Sequence, residues 1–409
     1  MAKLESCNPG GSGKDRAAKN MLKQAIRKNL LVKNKGVYHI VEGTSGSTGI
    51  SLAYICASLG PRTGEDCKNC EWNHYSMNKY QLHVVLPDDQ AKEKTQLLEK
   101  LGVHVVLVPT AAISNPHHYV HTARRLAEDL QGYFINQFEN LDNFGVHYEE
   151  TGPELWNQCC ALMGSADSRS GGGSIGKPPL DMFVMSAGTG GTIAGISRFL
   201  KSQNSAVRVV LADPQGSSLF NKVKFGVCYT GQQKEQGVRK HRYDSIVEGV
   251  GLDRVTANFA RAVTNTKSDV AADAAAADGA SGTGAGIDVG HSIDDAVSVS
   301  DQEIVDMAHF VLQREGLLIG SSSALNLSAA CYAARERFQG HAHQGQAPVV
   351  VTILCDQGSR HLSRFWNAEF VASAPYSLQW PGHGSTASDA NTNTGVMPAC
   401  LRVYSKDGL

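Results

Sequence analysis

A short apolar strand, a turn of small or hydroxyl residues and then a helix, repeated along the chain, constrain this sequence more than any other feature. Val37–Val41 runs into Glu42-Gly43-Thr44-Ser45-Gly46-Ser47-Thr48-Gly49 and an apolar helix from Ile50. Leu82–Leu86 is followed by Pro87-Asp88-Asp89 and a helix through Leu97 and Leu101, and Val103–Val108 leads on to a helix over His118–Leu130 and a strand at Tyr133–Ile135. The pattern returns at Leu180–Met185, which precedes Ser186-Ala187-Gly188-Thr189-Gly190-Gly191-Thr192 and a helix over Ile193–Lys201. Strands Val207–Ala212 and Val349–Leu354 extend it. Helix Asp301–Glu315 carries Ile304, Met307, Ala308 and Val311 at helical spacing. Such alternation predicts a wound α/β fold.

Near the start, Asn8-Pro9-Gly10-Gly11-Ser12-Gly13-Lys14-Asp15-Arg16 gives way to good helix formers, with Ala18, Leu22, Ala25 and Ile26 at helical spacing. Lys14 therefore stands at a loop-to-helix junction. The positive end of a helix dipole disfavours an ammonium and favours a neutral, nucleophilic amine, which suits a Schiff base. A nucleotide-binding P-loop is excluded, because that motif needs glycine where Asn8 stands and Ser or Thr where Asp15 stands. A solvated lysine in a glycine turn is the plainer alternative.

Two further turns are suited to anions. Thr44–Gly49 and Gly188–Thr192 each end a strand and open a helix, so each presents free backbone N–H groups. The second lacks the third glycine of a dinucleotide fingerprint, since Ile193 occupies that place. Cys67, Cys70 and His74 lack the further close ligand pair of a structural zinc site, and His117, His118 and His121 read as helix-surface residues, so no metal site is expected.

Lys and Arg number 38 against 39 Asp and Glu, a formal charge of -1 over 409 residues, which gives no overall pull toward nucleic acid or anionic membrane. No apolar run approaches the ~20 residues that span a bilayer. Cysteines such as Cys56, Cys331 and Cys355 sit in apolar segments, which points to a reducing, intracellular setting, with the cytoplasm expected and an organelle left open. Gly164–Gly176 and Lys267–His291 read as insertions of low complexity, and residues beyond Ala372 read as a disordered tail outside the core.

Asn-Pro-x-x-Ser-x-Lys-Asp-Arg at Asn8–Arg16 resembles the cofactor-lysine segment of the cysteine synthase and cystathionine β-synthase family of pyridoxal phosphate enzymes. Further segments resemble that family in order. Thr44-Ser45-Gly46-Ser47-Thr48-Gly49 is similar to its substrate-carboxylate loop, with Ser47 where the family has an asparagine that also touches the cofactor ring. Gln137-Phe138-Glu139-Asn140, followed by Thr151-Gly152-Pro153-Glu154, supplies Gln137 as a second carboxylate donor. Gly188-Thr189-Gly190-Gly191-Thr192 is similar to the phosphate cup, Ser322 corresponds to the hydroxyl facing the pyridine nitrogen, and Asp356–Ser363 resembles the closing motif.

The resemblance implies two open α/β domains with pyridoxal 5'-phosphate between them, at about 1–148 and 149–372, in a homodimer. It implies that Lys14 carries the cofactor and moves the α-proton, and that Thr44, Ser45, Gly46, Thr48 and Gln137 hold an amino-acid substrate. Gly188 to Thr192, Ser47 and Ser322 would then hold the cofactor. O-acetylserine with sulfide is the leading substrate pair. Serine with homocysteine is the second reading, favoured by Glu248 before Gly249-Val250-Gly251, and a non-catalytic cofactor-binding protein is the third. Relatives carry further strands before the lysine loop, so Met1–Glu5 resembles the end of a strand that completes the second domain, and a shortened chain is expected.

Overall fold

The computed structural model describes residues 1–59, 79–163, 178–229, 245–264, 291–338, 347–373, 375–381 and 397–401. Its secondary structure builds two sheets. The first is ordered β2-β3-β4-β5, from Lys33–Asn34, Val37–Gly43, Lys79–Pro87 and His104–Val108, with β6 (Tyr133–Phe134) also paired to β3. All its pairs are parallel except that of β2 with β3. The second is ordered β1-β10-β7-β8-β9 and is parallel throughout, from Ala2–Leu4, Val350–Leu354, Met182–Ser186, Arg208–Pro214 and Asp295–Val299. The expected division near residue 148 leaves β2–β6 on one side and β7–β10 on the other, while β1 crosses it to pair with β10 through Ala2↔Thr352 and Leu4↔Leu354.

Parallel strands need helical crossovers that cover both faces, and so their residues read as nearly continuous apolar runs. Strand β7 is buried at every position, and Leu82, Val84, Val85 and Leu86 are buried in β4. Helix α1 (Lys14–Arg27) buries Ala18, Met21, Leu22, Ala25 and Ile26 on one face, and Ile26, Leu22 and Met21 join Ile40, Ile50 and Leu86 in the core under the first sheet. A second core spans both sheets, joining Val41 and Val85 with Phe183, Ile193 and Leu211.

Strand β9 carries no clear strand signal in the sequence and lies at the sheet edge beside β8, where only one neighbour supports it. Beyond Ala372 the described residues, 373, 375–381 and 397–401, include several that pack on the core. Tyr376, Leu378 and Trp380 pack on a third core cluster, formed around Val184, Val210, Ile304, Val305 and Leu325, and Cys400 is buried in it. Trp380 stacks edge-on against His309 at 4.5 Å, so a few aromatic anchors outweigh the polar composition around them. The insertions expected at 164–176 and 267–291, the Cys67-Cys70-His74 segment and the remaining tail lie outside the described residues, apart from His291. Among the described residues no helix is long and apolar enough to cross a membrane, and no cluster of His, Cys, Asp and Glu could hold a metal.

Candidate active site

In wound parallel sheets ligands collect beyond the carboxyl ends of the strands. Here the loops that follow β3, β7 and β10 face one another across two adjoining cavities that share Lys14, Ser45, Ser47, Gly188, Thr189 and Glu248.

Lys14 is the first residue of α1 and is half-buried, lining both cavities. The glycine turn before it is tied down at several points. Gly10 N–H donates to Asp15 Oδ2 at 2.6 Å, Asn8 Nδ2 donates to Glu5 Oε2 at 2.7 Å, and Gly13 N–H donates to the Cys355 carbonyl at 3.2 Å. Arg16, paired with Glu5 at 2.8 Å and Glu154 at 2.7 Å, anchors the next turn. Burial lowers the pKa of the Lys14 ammonium, while nearby Cys355 and Asp356 act the other way without reversing it. The environment thus favours a neutral amine facing the cavity, as its place at a helix start suggests.

The Thr44–Thr48 loop links β3 to α2 (Ser47–Ser58). Thr44 Oγ1 accepts from Gly46 N–H at 3.1 Å, and Gly46 has φ of 122°, a conformation that strains any residue with a side chain. Thr48 Oγ1 donates to Gln137 Oε1 at 2.5 Å, while Gln137 Nε2 donates to the Gly43 carbonyl at 3.0 Å. Residues separated by 89 positions in the chain therefore form one polar wall. Thr44, Ser45, Ser47, Thr48 and Gln137 line the outer cavity; Gly46 does not, and forms the hinge behind it.

Opposite stands the turn between β7 and α7 (Gly191–Gln203). The first-turn N–H groups of a helix have no intrahelical partner and carry positive potential, so they favour an anion. Gly190 is left-handed at φ 85°, and a Cβ there would lie 2.5 Å from Phe259 Cβ, so the turn accepts only glycine. Gly188, Thr189, Gly190 and Thr192 line the inner cavity, whereas Gly191 packs behind it against the Asn143 carboxamide. Asn143 Nδ2 also donates to Thr189 Oγ1 at 2.9 Å and to the Gln137 carbonyl at 2.9 Å, which locks the two walls together. His147 Nε2 meets Thr192 Oγ1 at 3.1 Å, and its Nδ1 meets Thr151 Oγ1 at 3.0 Å. Burial, then Lys14 and Arg16, push the His147 pKa down to about 3, so the ring is neutral. Ser322, buried in the first turn of helix Ser321–Phe338, also lines the inner cavity.

Sequence reasoning missed several lining residues. His147, Lys94 and Cys355 face the inner cavity, and Tyr376 and Arg364 face the outer one. Tyr376 belongs to the segment assigned to the tail. Lys94 sits in a charged helix and has no motif of its own, so only the packing of the two walls reveals it.

A family model described as pyridoxal-phosphate dependent enzyme matches residues 1–63 and 75–356. The chain belongs to that family. Among characterised proteins it is 40% identical over 381 residues to cysteine synthase 2 of Schizosaccharomyces pombe, covering 91% of this chain and 78% of that one. It is 34% identical to cysteine synthase of Dictyostelium discoideum, with 90% and 78% covered, and 30% identical to cystathionine beta-synthase of Saccharomyces cerevisiae, with 90% and 58% covered. A solved O-acetylserine dependent cystathionine beta-synthase from Helicobacter pylori superposes with a TM-score of 0.60 at 26% identity, over 89% of this chain and 88% of that one.

The donor set fits the family's cofactor. An amine held below its usual pKa, an anion-binding helix start whose glycines admit close approach, and a buried hydroxyl in the same cavity suit an aldehyde, a phosphate and a ring nitrogen respectively. Lys14, Ser47, Gly188, Thr189, Gly190, Thr192 and Ser322 all line the one cavity in which such a group would sit.

Proposed function

We propose that this enzyme makes L-cysteine by β-replacement: the bond from the β-carbon of O-acetylserine to its acetoxy group breaks, acetate leaves, and sulfide bonds to that carbon. The observation that carries the reading is the convergence of Lys14, the Thr44–Thr48 wall with Gln137, and the Gly188–Thr192 turn on one pair of joined cavities. The cysteine synthase names borne by relatives at 34% and 40% identity support cysteine as the product.

Bound pyridoxal phosphate supplies an electron sink that stabilises negative charge at the substrate α-carbon. The rest falls to the chain. Thr44, Ser45, Thr48 and Gln137 receive the substrate carboxylate, and the bonds from Thr48 to Gln137, from Gln137 to the Gly43 carbonyl and from Gly46 to Thr44 set that wall before any chemistry begins. Lys14 Nζ, whose pKa is lowered by desolvation, removes the α-proton in its neutral form and returns one after sulfide has replaced acetate. Ser322 offers a neutral hydroxyl to the ring nitrogen, where an aspartate would enforce protonation. That weaker electron withdrawal suits β-elimination over transamination. Closed walls keep water from the reacting carbon. The homodimer and the intracellular setting belong to the same proposal, and sedimentation of the purified chain tests the first.

Replacing Lys14 by Ala tests the assignment directly. The wild-type protein should absorb visible light through cofactor bound to Lys14 and should be labelled there by borohydride. Unchanged absorbance and labelling in the variant would remove Lys14 from the reaction. The serine and homocysteine reading keeps one observation in its favour, Glu248 at the cavity wall, and the two readings separate by product.

A further inference from the structure

The two walls of the site are joined by a buried ion pair between Glu248 and Lys94, a residue outside the segments that carry the resemblance. Lys94, in the first turn of α3 (Lys92–Lys100), and Glu248, in the loop before Gly249, form a direct ion contact, with side chains only 3% and 4% exposed. Both face the inner cavity. The Lys94 stem supports the hinge of the substrate loop, since a Cβ on Gly46 would lie 2.7 Å from Lys94 Cδ. On the other side Gly249 faces the same loop, and a Cβ there would lie 3.2 Å from Ser45 Oγ. Gly46, Lys94, Glu248, Gly249 and Ser45 thus close a ring across the cleft.

Glu248 has further partners behind it. Arg364 Nε lies 3.0 Å from Oε1 and His361 Nδ1 lies 3.3 Å from Oε2, while His361 Nε2 meets Asp356 Oδ2 at 2.9 Å. The same segment holds α3 in place, because Ser363 Oγ accepts from Lys92 N–H at 3.1 Å and donates to Glu93 Oε2 at 2.8 Å. Burial opposes ionisation of Glu248, but Lys94, His361 and Arg364 overcome it and hold the carboxyl well below its usual range.

We propose that Lys94 is a positioning residue for the amino-acid substrate: tied to Glu248, it fixes the Ser45–Ser47 loop at the height where that loop receives the substrate carboxylate. This deepens the proposed function and rests on its assignment of the loop. A long, rotamer-rich side chain would not hold a loop in one place by itself. A fully desolvated ion pair with a third and fourth partner does, because any displacement strands a buried charge.

The asymmetry of the network yields the test. Without its ammonium, Lys94→Met leaves Glu248 still neutralised by Arg364 and His361 and keeps the stem under Gly46, so the fold should survive. Without its carboxylate, Glu248→Gln leaves Lys94 without its direct ion partner and with only the Asp356 carboxylate in electrostatic reach, and should cost more stability. For Lys94→Met the KM for O-acetylserine should rise about tenfold or more, with kcat changed far less and the cofactor absorbance intact. Backbone amides of residues 43–50 should exchange faster with solvent in the full-length protein without substrate, and Lys94→Arg should restore both properties. Unchanged KM and unchanged exchange in soluble Lys94→Met would overturn the proposal, as would a fall in kcat at constant KM. If Lys94→Met is insoluble, Lys94→Met with Glu248→Gln removes both charges and is read by the same two measurements. A wild-type chain inert toward O-acetylserine would count against the proposed activity, while the exchange rates would still decide the positioning role.

Discussion

Ser47 is where this chain departs from the asparagine of the carboxylate loop it resembles, and it lines both cavities at the start of α2. Its hydroxyl is shorter than an amide. Ser47→Asn should therefore hold the cofactor as well as or better than wild type, measured as the dissociation constant from titrated absorbance. A strongly weakened variant would mean that the pocket is built around serine. Glu42, below Gln137, is 1% exposed, and its Oε1 accepts from Gln137 N–H at 3.4 Å. Burial raises its pKa from 4.5 to about 8. Between those values the folded chain holds a proton that the unfolded chain has released, so stability falls as pH rises through this window, by about 1.4 kcal/mol per unit of displacement at most. Glu42→Gln cannot ionise, and its denaturant-unfolding free energy should decline less between about pH 5 and pH 8 than that of wild type. Equal slopes would show that Glu42 is not the titrating group. Lys14 was legible because glycines and helix formers meet there. Glu42 and Lys94 were not, because a buried charge leaves no periodic signature and is explained only by neighbours distant in sequence.

At the scale of elements, the strands that flank the site could be read from the sequence because both faces of a parallel strand are apolar. Predicted strands at Val37, Leu82, Val103, Leu180, Val207 and Val349 all appear, with ends shifted by a few residues. The π-helical turn His147–Thr151 was not foreseen, since nothing local marks it, and yet it aims His147 at Thr192. The insertion read at 267–291 has flanks that bear on a prediction. Ser292 N–H donates to the Ala262 carbonyl at 2.9 Å, next to the end of α9 (Ala257–Val263), so the flanks of that segment already meet. Closing a loop costs little more as it lengthens, and a short linker suffices when its ends are adjacent. Replacing 267–291 by a short Gly/Ser linker should leave the melting temperature and turnover nearly unchanged. Loss of soluble protein would show that the segment is structural.

At the scale of the whole molecule, two sheets joined through Asn143, Asn258 and the Lys94–Glu248 pair place a nucleophilic amine, an anion-binding turn and a carboxylate loop around one space. Family membership follows from the matched chain, whereas the choice of donor and thiol rests on the site and the relatives' names. Those alternatives differ in product, and one preparation can separate them. The purified protein, supplied with pyridoxal phosphate, should be given O-acetylserine or serine, each with sulfide or homocysteine, and all four mixtures should be assayed for cysteine and cystathionine, with Lys14→Ala as control. The account predicts that O-acetylserine with sulfide gives the highest kcat/KM, yielding cysteine, and that the control is inactive. Cystathionine from serine and homocysteine as the dominant product, or equal cysteine formation by the control, would contradict it.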